Sequence, residues 1–163
     1  MANPVIEVEI KAVLQTSGGF AIFIGNSTKV FVIYVDASVG LAIRLFWEGR
    51  RKERPLTHDL MVHLMTGLGA RVDRVIINEM KAATYYARVI VTAENELIER
   101  KVIELDARPS DSIALACQQK APIFVAQEVW DEVEDMSEVL EQMMTQDQED
   151  EPHERLSEDE DED

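Results

Sequence analysis

Two Arg-Pro steps fix where this chain must change from extended backbone to helix. They lie in Arg54-Pro55-Leu56-Thr57-His58-Asp59 and in Asp106-Ala107-Arg108-Pro109-Ser110-Asp111, and each runs into an apolar pattern of helical period. Proline holds φ near the helical value and drives the residue before it into extended backbone, so each step closes one segment and opens a helix. Thr57 and Ser110 stand where N-caps are expected. A helix start carries unpaired N–H groups and a partial positive charge, and Arg54 and Arg108 add forked donors beside it, a combination suited to phosphate. Favourable interaction with the helix dipole explains Asp59 and Asp111 equally well, so the phosphate or metal reading and the purely structural reading both stand.

The rest of the chain supplies the scaffold for these starts. Alternation of Ile6, Val8 and Ile10 with charged neighbours, then the turn Thr16-Ser17-Gly18-Gly19, predicts strands over 5–14, 20–25 and 29–35 in a three-stranded antiparallel opening. Ser38 is the expected cap of a helix over 39–48 that Gly49 ends. A second helix over 57–68 carries the stripe Leu60, Met61, Leu64, Met65 and Leu68, with His58, Asp59 and His63 off it. His58 and His63 do not share a face, so they are not a metal pair. Placed at the first turn, His58 stays neutral near pH 7 and can act as a base.

Residues 71–80, 83–93 and 97–106 read as strands joined by short turns, with Asp106 closing the last of them where strand gives way to helix. A short Ala-rich helix follows to residue 120, then a strand over 123–126. Residues 128–144 form an acidic amphipathic pattern through Val129, Val133, Met136, Leu140 and Met143. Strands and helices mixed with hairpin turns predict an α+β fold, a mainly antiparallel mixed sheet with three to four helices.

A chain of 163 residues suits one domain, and the formal charge of −16 is concentrated at one end of it. Residues 1–130 hold 15 acids and 15 basic residues, whereas residues 131–163 hold 17 acids against Arg155 alone. The expected organisation is therefore a body over 1–130, an acidic helix over 131–144 and a disordered acidic tail over 145–163. A neutral body leaves nucleic-acid binding open, and Arg50, Arg51 and Lys52, with Arg54 beside them, form the densest basic loop in it, a candidate nucleic-acid contact or an ordinary solvated loop. The single cysteine, Cys117, falls on an apolar helix face and is expected to be a core residue. The absence of a secretory start or an apolar run near 18 residues reads as a soluble, cytoplasmic protein without membrane partners.

The run from Arg54 to Leu60, the turn Leu68-Gly69-Ala70, the strand Tyr86-Ala87-Arg88, the run from Asp106 to Ala116 and the pair Pro122-Ile123 together resemble the bifunctional nuclease family in order and spacing. The resemblance covers roughly residues 5–130. It implies an α+β domain, self-association with a dimer most expected, and cleavage of both DNA and RNA with little sequence preference. Its motif polar residues fall here on Arg54, Thr57, His58, Asp59, Arg88, Asp106, Arg108, Ser110 and Asp111. The chain departs from the family's Ile-Gly-x-x-Glu-Ala at Val35-Asp36-Ala37-Ser38-Val39-Gly40, where Val39 replaces the acid, and from its Asp-Gly turn at Ala82-Ala83.

A nuclease built on these positions needs an activated water and neutralised phosphoryl oxygens. The expected site has His58, Asp59, Asp106 and Asp111 as catalytic residues and Arg54, Thr57, Arg88, Arg108 and Ser110 on the phosphate. Asp106 and Asp111, with Asp59 as a further oxygen ligand, would hold Mg²⁺ or Mn²⁺. The competing expectation is a non-catalytic nucleic-acid or protein-binding regulatory module, in which the same acids satisfy Arg108 or helix N–H groups. The catalytic version requires both helix starts to meet in space.

Overall fold

Among the described residues seven strands join into one sheet whose two halves are knitted together by the shortest of them. In the computed structural model, which describes residues 3–50 and 52–149, these are β1 (Val5–Thr16), β2 (Gly19–Gly25), β3 (Val30–Val35), β4 (Ala70–Lys81), β5 (Thr84–Glu94), β6 (Arg100–Ala107) and β7 (Ile123–Ala126). The order across the sheet is β3-β2-β1-β7-β4-β5-β6. β7 pairs antiparallel with β1 and parallel with β4, and the other neighbours are antiparallel. The α+β expectation with a mainly antiparallel mixed sheet is met.

Alternation works where one face of a strand is wet and fails where both are covered. All seven residues of β2 are buried, so it reads as a continuous apolar run. In contrast β6, at the edge, has exposed residues along most of its length. The β4–β5 hairpin turns on Ala82 and Ala83, with φ of 48° and 61°, the left-handed pair of a type I′ turn.

Among the described residues five helices, close to the three to four expected, accompany the sheet: α1 (Ala37–Trp47), α2 (Thr57–Gly67), α3 (Pro109–Gln119), α4 (Gln127–Glu132) and α5 (Ser137–Glu149). The acidic pattern expected as one helix is broken at Val133–Met136, where Asp135 accepts from the backbone of Ser137 and of Val30. The helix also runs past residue 144 to Glu149, and the remainder of the expected tail, residues 150–163, lies outside the described residues.

Capping differs from expectation in all three of the helices that frame the site. Asp36, not Ser38, caps α1 by accepting from Val39 N–H at 3.1 Å, and Ser38 donates to it instead. α2 has Leu56 at the N-cap position, and Asp59 reaches back to accept from Leu56 N–H at 2.8 Å. α3 has Arg108 at that position with Pro109 in the first turn. Thr57 and Ser110 thus lie inside their helices: before α3 the extended residue is Arg108, held so by Pro109, whereas before α2 it is Leu56, with Pro55 already ahead of the cap.

α2 is turned over relative to its apolar stripe. Leu60, Leu64 and Leu68 are 65, 64 and 72% exposed, while His58, Asp59 and Val62 are buried. The physical reason lies at the helix start, where His58 meets Asp111 and Asp59 meets Lys52 on the inner side. Val62, one turn on, follows them into the core. Cys117 is largely buried as expected, and burial pushes its thiol up to about 12.

Candidate phosphate-binding site at the paired helix starts

The two proline-opened helices meet. α2 packs against α3, and His58 Nε2 lies 3.0 Å from Asp111 Oδ1. Arg108 closes a fork on the same carboxylate, with Nε at 2.7 Å from Oδ2 and Nη2 at 3.2 Å from Oδ1. Asp36, at the end of β3, stands 3.7 Å from Arg108 Nη1. Four side chains from three helix starts therefore form one cluster, His58–Asp111–Arg108–Asp36.

Protonation states follow from the geometry. Burial works to raise the Asp111 carboxyl, but hydrogen bonds from Arg108 and His58 outweigh it and hold Asp111 below the usual carboxylate range. An ionised carboxylate only accepts, so the proton of the contact sits on His58 Nε2. The ring is 4% exposed and meets Phe46 edge-on, with centroids 6.5 Å apart.

This cluster ends an open cavity of about 940 Å³ between α2 and the sheet. Thr57, His58, Arg108 and Asp111 line its polar end; Met61 and Met65 of α2 and Val89, Val91 and Leu105 of the sheet line the rest. Val39, in the place of the family's acid, is buried in the same wall. Asp36 was not among the expected site residues, although its position three residues before Val39 was visible. Ser38 first, then Val39 N–H, hold its carboxyl below the usual value.

The remaining expected site residues are placed elsewhere. Asp106 borders the cavity, but its carboxylate pairs with Arg88 at 3.0 Å, directly across the β5–β6 ladder. Opposed residues share a face and neighbours alternate, so Asp106 and Arg88 point away from the face that carries Val89 and Leu105. Glu104 joins them at 3.5 Å from Arg88. Asp59 is a structural residue of the helix start. Burial raises its carboxyl, and Leu56 N–H followed by Lys52 outweigh this and bring it below the usual range.

Lys52 turns inward, 3.1 Å from Asp59 and 4.1 Å from the centre of the Phe46 ring. It is thus withdrawn from the basic loop's outer surface. Arg50 pairs with Glu48 at 3.2 Å, Arg54 is exposed and does not line the cavity, and Arg51 lies outside the described residues. Ser110 is buried and borders a separate, smaller cavity with Asp36 and Tyr34.

The donor set does not fit a divalent cation as arranged. Both oxygens of Asp111 are engaged by Arg108 and His58, and Asp106 is engaged by Arg88, so each carboxylate already faces a cation. Among the described residues no group of three or more His, Cys, Asp or Glu is placed to hold a metal. Hard cations take six or more oxygen ligands, and an arginine beside each carboxylate opposes a second positive charge.

An α+β domain with a His–Asp–Arg cluster at one end of an apolar cavity defines the general class of the molecule. The family model described as the bifunctional nuclease domain matches residues 23–138, more than half of the chain, and the chain belongs to that family. Two proteins of Mycobacterium tuberculosis, one from strain CDC 1551 / Oshkosh and one from strain ATCC 25618 / H37Rv, both named as uncharacterized proteins, are 36% identical over 104 residues. The match covers 64% of this chain and 58% of each relative, so it spans less than two thirds of their length. At family level this supports a nuclease-like or nucleic-acid-binding role. No helix among the described residues is long and apolar enough to cross a membrane.

Proposed function

We propose that the protein hydrolyses phosphodiester bonds of DNA and RNA at the end of the cavity where α2 and α3 begin. The observation that carries this reading is the 3.0 Å contact between His58 and Asp111, with Arg108 on the same carboxylate. Asp111 orients the ring as the third group of a nucleophile–base–orienter arrangement. His58 accepts a proton from water as the water oxygen bonds to phosphorus; the ester P–O bond breaks, and the leaving oxygen takes a proton from solvent or from the protonated imidazole. Water rather than a ribose hydroxyl must be the nucleophile if DNA is a substrate. Arg108, with Thr57 and the first N–H groups of α2, holds the phosphoryl oxygens. The apolar wall of Met61, Met65, Val89 and Val91 takes an unstacked base, which favours single strands.

A second reading is a binding module without catalysis. It is favoured by the engagement of both Asp111 oxygens and the near-complete burial of His58, which together describe a tether between two helices.

Labelled single-stranded RNA and DNA, with and without EDTA, separate these. Catalysis predicts that His58→Ala lowers the cleavage rate by about 10²–10⁴-fold, that Arg108→Ala weakens it, and that EDTA changes little. Cleavage that persists equally in both variants is a contaminant and sinks the catalytic reading. Binding that survives in a protein that cleaves neither substrate establishes the module instead.

A further inference from the structure

A groove of about 400 Å³ opens between β3 and the start of β5, and backbone walls it. Its lining comes as three unbroken runs, residues 32–36, 83–85 and 108–110. A cavity on the face of a strand meets every second residue, whereas one that meets consecutive residues lies along the strand's edge. Phe31 of β3 and Tyr85 of β5 approach with ring centroids 6.0 Å apart, so the two strands flank the same space.

Both edges are unpaired there. β3 ends the sheet and pairs only with β2. Val30 turns its N–H and C=O away from β2, donating to Asp135 Oδ1 at 3.3 Å and accepting from Met136 N–H at 2.6 Å. Pairing alternates along an antiparallel ladder, so Val32 and Tyr34 turn theirs the same way. Across the groove, Thr84 closes the two-residue hairpin with Lys81, and Tyr85, the next residue, turns its N–H and C=O away from β4. β6 pairs with β5 only from Ala87 onward. The outward groups of Val32, Tyr34 and Tyr85 have no partner among the described residues.

One end of the groove suits an anion. α3 begins there; Pro109 has no N–H to offer, Ser112 N–H bonds Arg108 C=O, and the N–H groups of Ser110 and Asp111 have no partner among the described residues. The Ser110 side chain is 8% exposed and lines the groove, and its hydroxyl makes no hydrogen bond among the described residues. Hydroxyls set so deeply are normally paired, so this one points to a ligand. Asp36 stands at the same end with its charge answered by Arg108, 3.7 Å away.

We propose that this groove takes the carboxyl-terminal residues of a partner polypeptide as an added strand beside β3, with the terminal carboxylate on Ser110 Oγ and the first N–H groups of α3. An added strand supplies what the walls lack, a row of N–H and C=O groups at ladder spacing. The segment before α5 already meets this edge at Val30, and the peptide continues along it from there. β3 runs toward Asp36 and α3, so a chain that ends at α3 lies parallel to β3. Five residues of strand span about 13 Å, room for about four extended residues. Away from Asp36 and Arg108 the lining has no charged side chain, which favours an uncharged sequence over a nucleic-acid strand with a phosphate at every step. Capture here requires no chemistry at His58 and survives if the larger cavity is inert.

Fluorescein-labelled Thr-Val-Thr-Val and Val-Thr-Val-Thr, which present the two phases of a strand, are titrated with the full chain and followed by anisotropy. At least one is expected to bind saturably at one site per chain, and its C-terminal amide at least about ten-fold more weakly, through loss of the charge-assisted contact. Ser110→Ala is expected to weaken the free acid by about three- to ten-fold with an unchanged thermal midpoint. Tyr34→Pro removes an outward N–H at an edge position where proline is tolerated, and is expected to abolish binding. Amide ¹H–¹⁵N spectra of the parent chain are expected to shift at Val32, Tyr34, Tyr85 and Ser110, which locates the site even if Tyr34→Pro fails to fold. The dinucleotide TpT is expected neither to displace the peptide nor to move those resonances. Failure of both peptides to bind saturably overturns the proposal, as do equal binding of acid and amide, shifts confined to the His58 cavity, or displacement by TpT.

Discussion

His58 and Asp111 stand fifty-three positions apart in the chain and 3.0 Å apart in space. Their contact joins the first turns of α2 and α3, and it orients the ring between them.

Stability at low pH follows from the state of Asp111. Its folded carboxyl is held below the usual value, so its contribution is complete above the unfolded value near pH 4 and is lost as pH falls through the folded value. Asp111→Asn should cost about 1–3 kcal/mol at pH 7. That deficit should shrink as pH falls below about 4 and through the lowered folded value, where the parent protein loses the same charge. Urea melts at several pH values measure it, and a deficit independent of pH contradicts the assignment.

Asp59 carries the start of α2 through Leu56 N–H and holds Lys52 on Phe46. Asp59→Ala removes the cap and strands a half-buried ammonium, a loss of about 1–3 kcal/mol. Chemical denaturation should show this loss, and a second substitution, Lys52→Met, should recover part of it. No recovery would mean that the cap alone matters.

The turn at Ala82-Ala83 offers a gain. Both residues are left-handed, which costs an L-residue with a Cβ about 1–2 kcal/mol. Replacing the pair by Asn-Gly should raise the thermal midpoint by several degrees, and an unchanged midpoint would show that the turn relaxes in solution.

Gly40 is a close-approach position. A Cβ there would come within 2.3 Å of Phe20 Cδ2, so α1 or Phe20 must move. Gly40→Ala should destabilise by about 1–3 kcal/mol, and Phe20→Leu in the same chain should relieve it. Additive losses in a double-mutant cycle would refute the contact.

Much of the scaffold was legible because its signals are local. Alternation marked Ile6, Val8 and Ile10, and the two Arg-Pro steps located α2 and α3 to within a residue or two. The family resemblance rested on ordered motifs and was matched over residues 23–138. The site was only half legible. The residue types were visible, but whether Asp106 or Asp111 would face His58 depended on a strand face and a helix packing that no local pattern encodes. The stripe of α2 misled for a related reason: Leu60, Leu64 and Leu68 satisfy the helical period, yet the inward face was decided by partners for two polar residues. Asp36 carries no local signal of its place in the site, because it meets Arg108 only through the packing of the start of α1 against the start of α3.

β7 has four residues, and it alone joins the hairpins at the two ends of the sheet, pairing with β1 on one side and β4 on the other. It is also the last strand to be made. As the chain leaves the ribosome, β1 to β3 can fold at once and β4 to β6 soon after, but each half must wait, with one long strand uncovered, until residue 126 emerges. The complete sheet cannot form before residue 126 is available, and the interval before it is when the chain is most exposed to mispairing.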